Sequence, residues 1–523
     1  VTLADNTRRF TLAYAGKIFH PVEKLSEEYA RSFSVSSGII SPEGVSLSNA
    51  SYWYPYIADQ LLTFTLQVKM PAGWRSVSQG ERKQAKRGEQ LIDTWSIDKP
   101  QDDIYLIAAP FSEYSESAGN VQAMVFLRSP DAALAQKYLE ATAQYLEMYR
   151  QLLGVYPYGK FALVENFWDT GYGMPSFTLL GSQIIRMPFI LHSSYPHEIL
   201  HNWWGNGVYV DYKHGNWSEG LTSYLADHLI QEQRGQGEEY RRNTLHKYTD
   251  YVRDKEDFPL AQFSGRHNSV TEAVGYGKTL MIFHMLRREL GDEKFIQALR
   301  QFYRRYAFKR AGFSDVEKTF SEIAEKPLAD FFAQWVNRSG APSLRLGKHA
   351  VKKQGKQFTV EASIEQTQAG LPYQIRLPIA VHMQAKQQAL QTEIVVTAKQ
   401  QNFSIEVPDR PVRMDIDPQF DVFRRLDQNE IPPAISKLYG ADKILIVLPA
   451  EAASELFQAY SNLALAWQKD STREIDIKSD VALKKLPADR SVWLFGWENS
   501  FRPLLAKSLK DYAYQDSANK IRI

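Results

Sequence analysis

The chain has 523 residues, of which 44% are hydrophobic, 23% charged and 13% aromatic, the balance of a globular protein too long for one compact core. Its formal net charge of +2 provides no field that would favour nucleic acid or an anionic membrane. With no cysteine, thiol catalysis, disulfides and cysteine-ligated metals are excluded together, so any metal must rest on His, Asp and Glu.

The first part reads as β structure. "LTFTLQVKM" alternates Leu62, Phe64, Leu66, Val68 and Met70 with polar residues, the period of a half-buried strand. "PAGW" then gives a turn and "DIYLIAAPF" a buried strand, with no helical period before about residue 130. From Pro130 the pattern changes: Leu134, Tyr138, Ala141, Tyr145, Tyr149 and Leu152 recur every three to four residues up to Gly154, which predicts an amphipathic helix with a glycine stop. Helices dominate from there to about residue 340, among them "KTLMIFHMLRREL", "DEKFIQALRQFYRRYAF" and "LADFFAQWVNRSG".

Strands return after Pro342. "YQIRLPIAVHM" buries Ile375, Leu377, Ile379, Val381 and Met383, and Pro378 falls on the outward phase, the mark of an edge strand. "TEIVVTA", "NFSIEVP" and "PVRMDID" complete a small β-sandwich. Beyond the linker-like "NEIPPAISKLYG", the segments "KILIVLP", "EAASELFQAYSNLALAW", "REIDIKSD" and "SVWLFGW" alternate as a small α/β unit. The expected architecture is multidomain α+β: an N-terminal β domain over 1–128, a mostly helical domain over 129–342, a β-sandwich over 343–428 and the α/β domain over 429–523. No apolar run approaches the roughly 20 residues of a membrane span. The start at Val1, with no initiator Met or signal pattern, leans towards a processed protein of the periplasm or cell surface, or a trimmed one.

The chemistry concentrates in "YPHEILHNWWGNG". Ser193, Ser194 and Tyr195 can start a helix with Pro196 in its first turn, where a missing N–H is tolerated. His197 and His201 then lie one turn apart on one face and can converge on one cation. Glu198, offset by one residue, can reach a water beside that cation without ligating it, as a general base must. An open site needs a third protein ligand. Glu219 in "GNWSEGLTSYLADHL" is preferred because it opens a second helix; His214 and His228 are the other options. Trp203, Trp204 and Trp217 are expected in the core rather than on substrate. Together these residues predict one Zn2+ ion and a peptide substrate.

"HEILHNWWGN…NWSEGLTSYL" resembles the zinc alanyl-aminopeptidase family (aminopeptidase N and relatives), whose pattern is HExxHxWxGN followed by WLNEGFxxY. The likeness extends to "YPYGKFALVENF", "VGYGKTLMIFHMLRRELGDEKF" and "FFAQWVNRSGAPSL", covering about residues 10 to 425. It implies a thermolysin-like catalytic domain with His197, His201 and Glu219 on zinc and Glu198 activating water. It also implies that Tyr276 in "GYGK" hydrogen-bonds the oxyanion.

Three departures from the family pattern matter. Seventeen residues, not the usual eighteen, separate His201 from Glu219, which a shortened "VYVDYKHG" loop can absorb. The acid expected seven residues past that ligand is replaced by Ala226, with Asp227 one step on; on an α-helix that step is a rotation of about 100° and turns the carboxylate away. The family's Gly-Ala-Met-Glu-Asn loop holds the substrate's α-amino group through its Glu. Here Tyr172-Gly173-Met174-Pro175-Ser176 puts Pro in that place. Gly173 and Met174 can still offer backbone to an extended peptide, and Glu165 or Asp169 could supply the missing charge. "EGLTSYLAD" also has a flavour of the glycyl aminopeptidases. The sequence therefore predicts a zinc aminopeptidase. The alternatives are an endopeptidase or short-peptide hydrolase indifferent to the N-terminus, and a catalytically silent peptide-binding scaffold.

Overall fold

The computed structural model describes residues 9–25, 33–88, 90–253, 255–355, 357–427, 430–431, 435–471, 473–487, 489–504, 515–517 and 520–522. It is a multidomain α+β protein with several sheets. Its contacts divide it into two compact units: Val1–Asp211 with Leu225–Asp227 and Ile296–Ile323, and Tyr212–Tyr224 with His228–Phe295 and Ala324–Ile523. Among the described residues no helix is long and apolar enough to cross a membrane.

In the first unit the alternating strand forms as expected, over Leu62–Met70, with its apolar residues facing inward. It pairs antiparallel with Gln90–Gln101, which in turn pairs with Glu81–Arg87. A five-stranded sheet follows, in the order Ser112–Ala118, Val121–Leu127, Lys160–Asn166, Phe177–Gly181, Gly171–Met174. "KFALVEN" runs through its centre with all seven residues buried, so its apolar run carries no period to separate strand from helix. One cluster joins Val77, Ile107, Phe126, Val164 and Leu179 into a single core. The helix predicted between Pro130 and Gly154 spans Ala132–Leu153. Asp131 caps it by accepting the Leu134 amide at 2.9 Å, and Gly154 ends it at φ +116°.

The second unit holds the helices Gly237–Tyr251, Thr279–Leu290 and Ala329–Val336. Beyond them, two three-stranded antiparallel sheets share an apolar cluster of Val360, Ile379, Val381, Met383, Ile405 and Val407. Pro378 does not lie on an edge strand. Ile375–Met383 is the central strand of its sheet, flanked by Leu390–Val396 and Pro411–Ile416. The proline is tolerated because the second ladder begins only at Ile379, and the Pro378 carbonyl accepts from Asp417 at 2.8 Å just beyond it.

The last segment places Lys443–Leu448 between Glu474–Ser479 and Ser491–Leu494, all parallel, with the helix Ser454–Asp470 between the first two in sequence. Two loops at the C-terminal ends of these strands meet on Asp480. Its carboxylate accepts the amides of Ala450, Val481 and Ser500 at 2.8–2.9 Å.

Candidate active site

The first histidine helix is short, Ser194–Leu200, with Pro196 in its first turn and His201 closing it. Its two imidazoles lie with ring centroids 4.8 Å apart. Each has its Nδ1 committed: His197 donates to Asp227 Oδ2 at 2.8 Å and His201 donates to the Trp204 carbonyl at 2.9 Å. With the proton on Nδ1 in both rings, the lone pair sits on each Nε2, the tautomer a metal ligand requires. His197, His201 and Glu219 each offer one ligand atom, and these lie within 4.8 Å of one another. Two neutral imidazoles and one carboxylate form a donor set suited to zinc, with a coordination position left over for water. Among the described residues this is the group able to hold a metal.

The other two histidines considered as ligands are placed elsewhere. His214 is exposed on the turn Tyr212–His214. His228 is fully buried, and its Nε2 accepts from Arg241 at 2.9 Å.

Asp227 corrects the sequence expectation. Tyr224–His228 is a π turn rather than α-helix, and such a turn takes up one extra residue without changing which face the following chain presents. The rotation expected for an acid one place late is thereby cancelled, and Asp227 reaches His197.

The loop "YGMPS" forms the edge of the five-stranded sheet. Gly171–Met174 pairs antiparallel with Phe177–Gly181, and Pro175-Ser176 closes the hairpin with Ser176 at φ +68°. That left-handed conformation is unusual for a residue with a side chain. It is held from all sides: the Ser176 amide donates to Asn202 Oδ1 at 2.7 Å, and buried Lys160 donates to the Ser176 carbonyl and hydroxyl at 3.0 and 2.7 Å. Burial among Trp95 and Phe177 pushes the Lys160 pKa well down. Asn206 donates to the Gly173 carbonyl at 3.0 Å. Asn202 and Asn206 of "HNWWGN" thus tie the histidine segment to the hairpin. Sequence reasoning missed both, although their place in a segment already singled out was the available signal. Gly173 lies against Glu198: a Cβ there would come within 2.7 Å of Glu198 Oε2 and 3.1 Å of His201 Cβ.

Glu165 does not take over the missing charge. It is buried, with one oxygen accepting the Arg128 amide and the other Arg186 Nη1, both at 2.7 Å. Asp169 is exposed in the turn before the edge strand. Trp203, Trp204 and Trp217 are fully buried, as expected of core residues. Tyr276 lies on a second π turn, Ala273–Lys278, with its ring edge-on to Phe263 at 5.9 Å. That turn is fixed by buried Lys278, which donates to the Arg338 carbonyl at 2.7 Å. Burial, opposed by Asp257 and helped by Arg338, lowers the Lys278 pKa to about 8.

Two histidines and a glutamate close enough to share a cation, with hydrogen bonds that set both ring tautomers, form a candidate metal centre. Residues 192–335 match the model of the peptidase family M1 domain, and the chain is similar to the alanyl-aminopeptidase-like metallopeptidases. It is 21% identical to the alanine/arginine aminopeptidase of Saccharomyces cerevisiae over 48% of this chain and 32% of that protein. It is 21% identical to the leucyl aminopeptidase of Saccharolobus solfataricus over 47% and 32%, and 24% identical to the glutamyl aminopeptidase of Sus scrofa over 29% and 17%. The matched region thus spans less than half the length of each of these curated relatives.

Proposed function

We propose that the chain is a zinc-dependent metallopeptidase that acts as an aminopeptidase on extended peptides. The observation that carries this reading is the grouping of His197, His201 and Glu219 with both histidine Nδ1 atoms already committed. The aminopeptidase names of several relatives support the substrate end of it. When bound, zinc would supply Lewis acidity to the scissile carbonyl and the attacking water. Glu198 takes a proton from that water and passes it to the leaving amine, so the carboxylate is regenerated at each turnover. Tyr276 donates its phenolic proton in a hydrogen bond to the developing oxyanion, an interaction that strengthens only towards the transition state. Gly173 and Met174, on the edge strand, present backbone to a peptide lying antiparallel to it. The thermolysin-like region is assigned to 129–342 within the four-part layout, with 343–428 as the β-sandwich and 429–523 as the α/β domain.

A second reading is favoured by one observation: Pro175 stands where an amine-binding glutamate belongs, and Glu165 is already paired with Arg186. In that reading the enzyme cuts peptides whether or not their N-terminus is free. Parallel digests of one peptide, free and N-acetylated, decide between the two. The aminopeptidase removes residues stepwise from the free form only.

A further inference from the structure

The π turn that delivers Asp227 to His197 is itself gripped at both ends by buried polar side chains. At its start, the Tyr224 ring stacks on His228 at 5.0 Å, and its hydroxyl donates to His284 Nδ1 at 3.2 Å. His284 Nε2 in turn donates to Asp421 at 2.9 Å. At its end, His228 Nε2 accepts from Arg241 at 2.9 Å, and Arg241 donates further to Asp421 at 3.1 Å and to the Gln419 carbonyl at 2.9 and 3.2 Å. Tyr224, His228, Arg241, His284 and Asp421 are all buried.

An arginine can only donate, so the His228 Nε2 facing it carries no proton. A π turn is a local departure from the preferred α ladder and persists only where its surroundings hold it. Without that hold, a relaxed α turn would rotate the 227 side chain by about 100° away from His197.

We propose that His228, through Arg241, is a positioning residue for the metal centre: it locks the π turn and so keeps Asp227 on His197 Nδ1. This rests on the zinc-site reading given above. The remote anchor is Asp421, which follows the strand-rich segment and sits 137 residues beyond His284 in sequence.

The test uses His228→Phe, which keeps a ring against Tyr224 and loses only the acceptor for Arg241, and His228→Gln, whose side-chain carbonyl restores an acceptor. Zinc dissociation constants are measured by chelator competition on the full chain, with melting temperature and circular dichroism as fold controls. The expected result is a roughly tenfold weaker zinc affinity for His228→Phe, recovery towards wild type in His228→Gln, and no further weakening when His228→Phe is added to Asp227→Ala. Unchanged zinc affinity in a folded His228→Phe, or a full additional loss in the Asp227→Ala background, overturns the positioning role. A folded wild-type chain that binds no zinc overturns the zinc site itself, and the positioning role with it.

Discussion

Gly173→Ala places one methyl group between the edge strand and the base. Its position follows from the backbone: 2.7 Å from Glu198 Oε2, 3.1 Å from His201 Cβ and 3.2 Å from His201 Cδ2. Gly173 has no positive φ, so the substitution adds no backbone strain and its whole effect is this contact. The histidine Cβ is fixed by its helix, so the carboxylate end of Glu198 must yield by roughly 0.5 Å, which uses up the tolerance of a positioned functional group. A displacement of about 1 Å is worth on the order of 10²-fold in rate, so half of it gives a fall in kcat/KM of about tenfold, or ~1.4 kcal/mol. The similar loop of the alanyl-aminopeptidases carries Ala at this place, so the prediction is particular to this chain's packing. Steady-state kinetics on a short peptide, with zinc content measured in parallel, read the effect. A kcat/KM within twofold of wild type at full zinc occupancy refutes the reasoning.

Tyr276→Phe is expected to lower kcat by roughly 10²–10³-fold with little change in KM or zinc content, as for loss of one oxyanion donor; an equal loss in KM alone would assign the tyrosine to ground-state binding. Asp227→Ala is expected to weaken zinc by roughly 10–100-fold, read by chelator competition. Asp480→Ala removes the acceptor shared by three amides at 2.8–2.9 Å and is expected to destabilise the C-terminal parallel unit by about 1–3 kcal/mol, seen as an earlier thermal transition. Burial raises the Asp480 pKa, but the amides of Ser500, Ala450 and Val481 outweigh it and hold the group below its ordinary value. Its stabilising contribution is therefore present above the unfolded carboxylate pKa of about 3.9 and lost as pH falls through the lower folded value. The melting-temperature difference between wild type and Asp480→Ala should shrink accordingly in acid.

The amphipathic helix before Gly154, the alternating strand at Leu62–Met70 and the parallel strand-helix pattern after residue 440 were legible because each keeps one period between clear stops. The grouping of His197 with His201 was legible because i, i+4 histidines share a face whatever surrounds them, and Glu219 because it opens the next helix. Two features were hidden for physical reasons. Asp227 looked misplaced because the sequence was read on α-helical spacing, and nothing local in "SYLADHL" announces a π turn fixed by Arg241 and by Asp421 far along the chain. Pro378 suggested an edge because the outward phase of a strand does not reveal where a neighbouring ladder ends. The roles of Asn202 and Asn206 depend on a hairpin that only the tertiary structure brings beside them.

The most direct test follows one peptide, free at its N-terminus and N-acetylated, with zinc-replete protein and a Glu198→Ala control. Stepwise removal of residues from the free form and no cleavage of the acetylated form are expected, with turnover lost in Glu198→Ala at unchanged zinc content. Cleavage of neither form by protein that holds zinc would contradict the catalytic role assigned to His197, Glu198, His201 and Glu219.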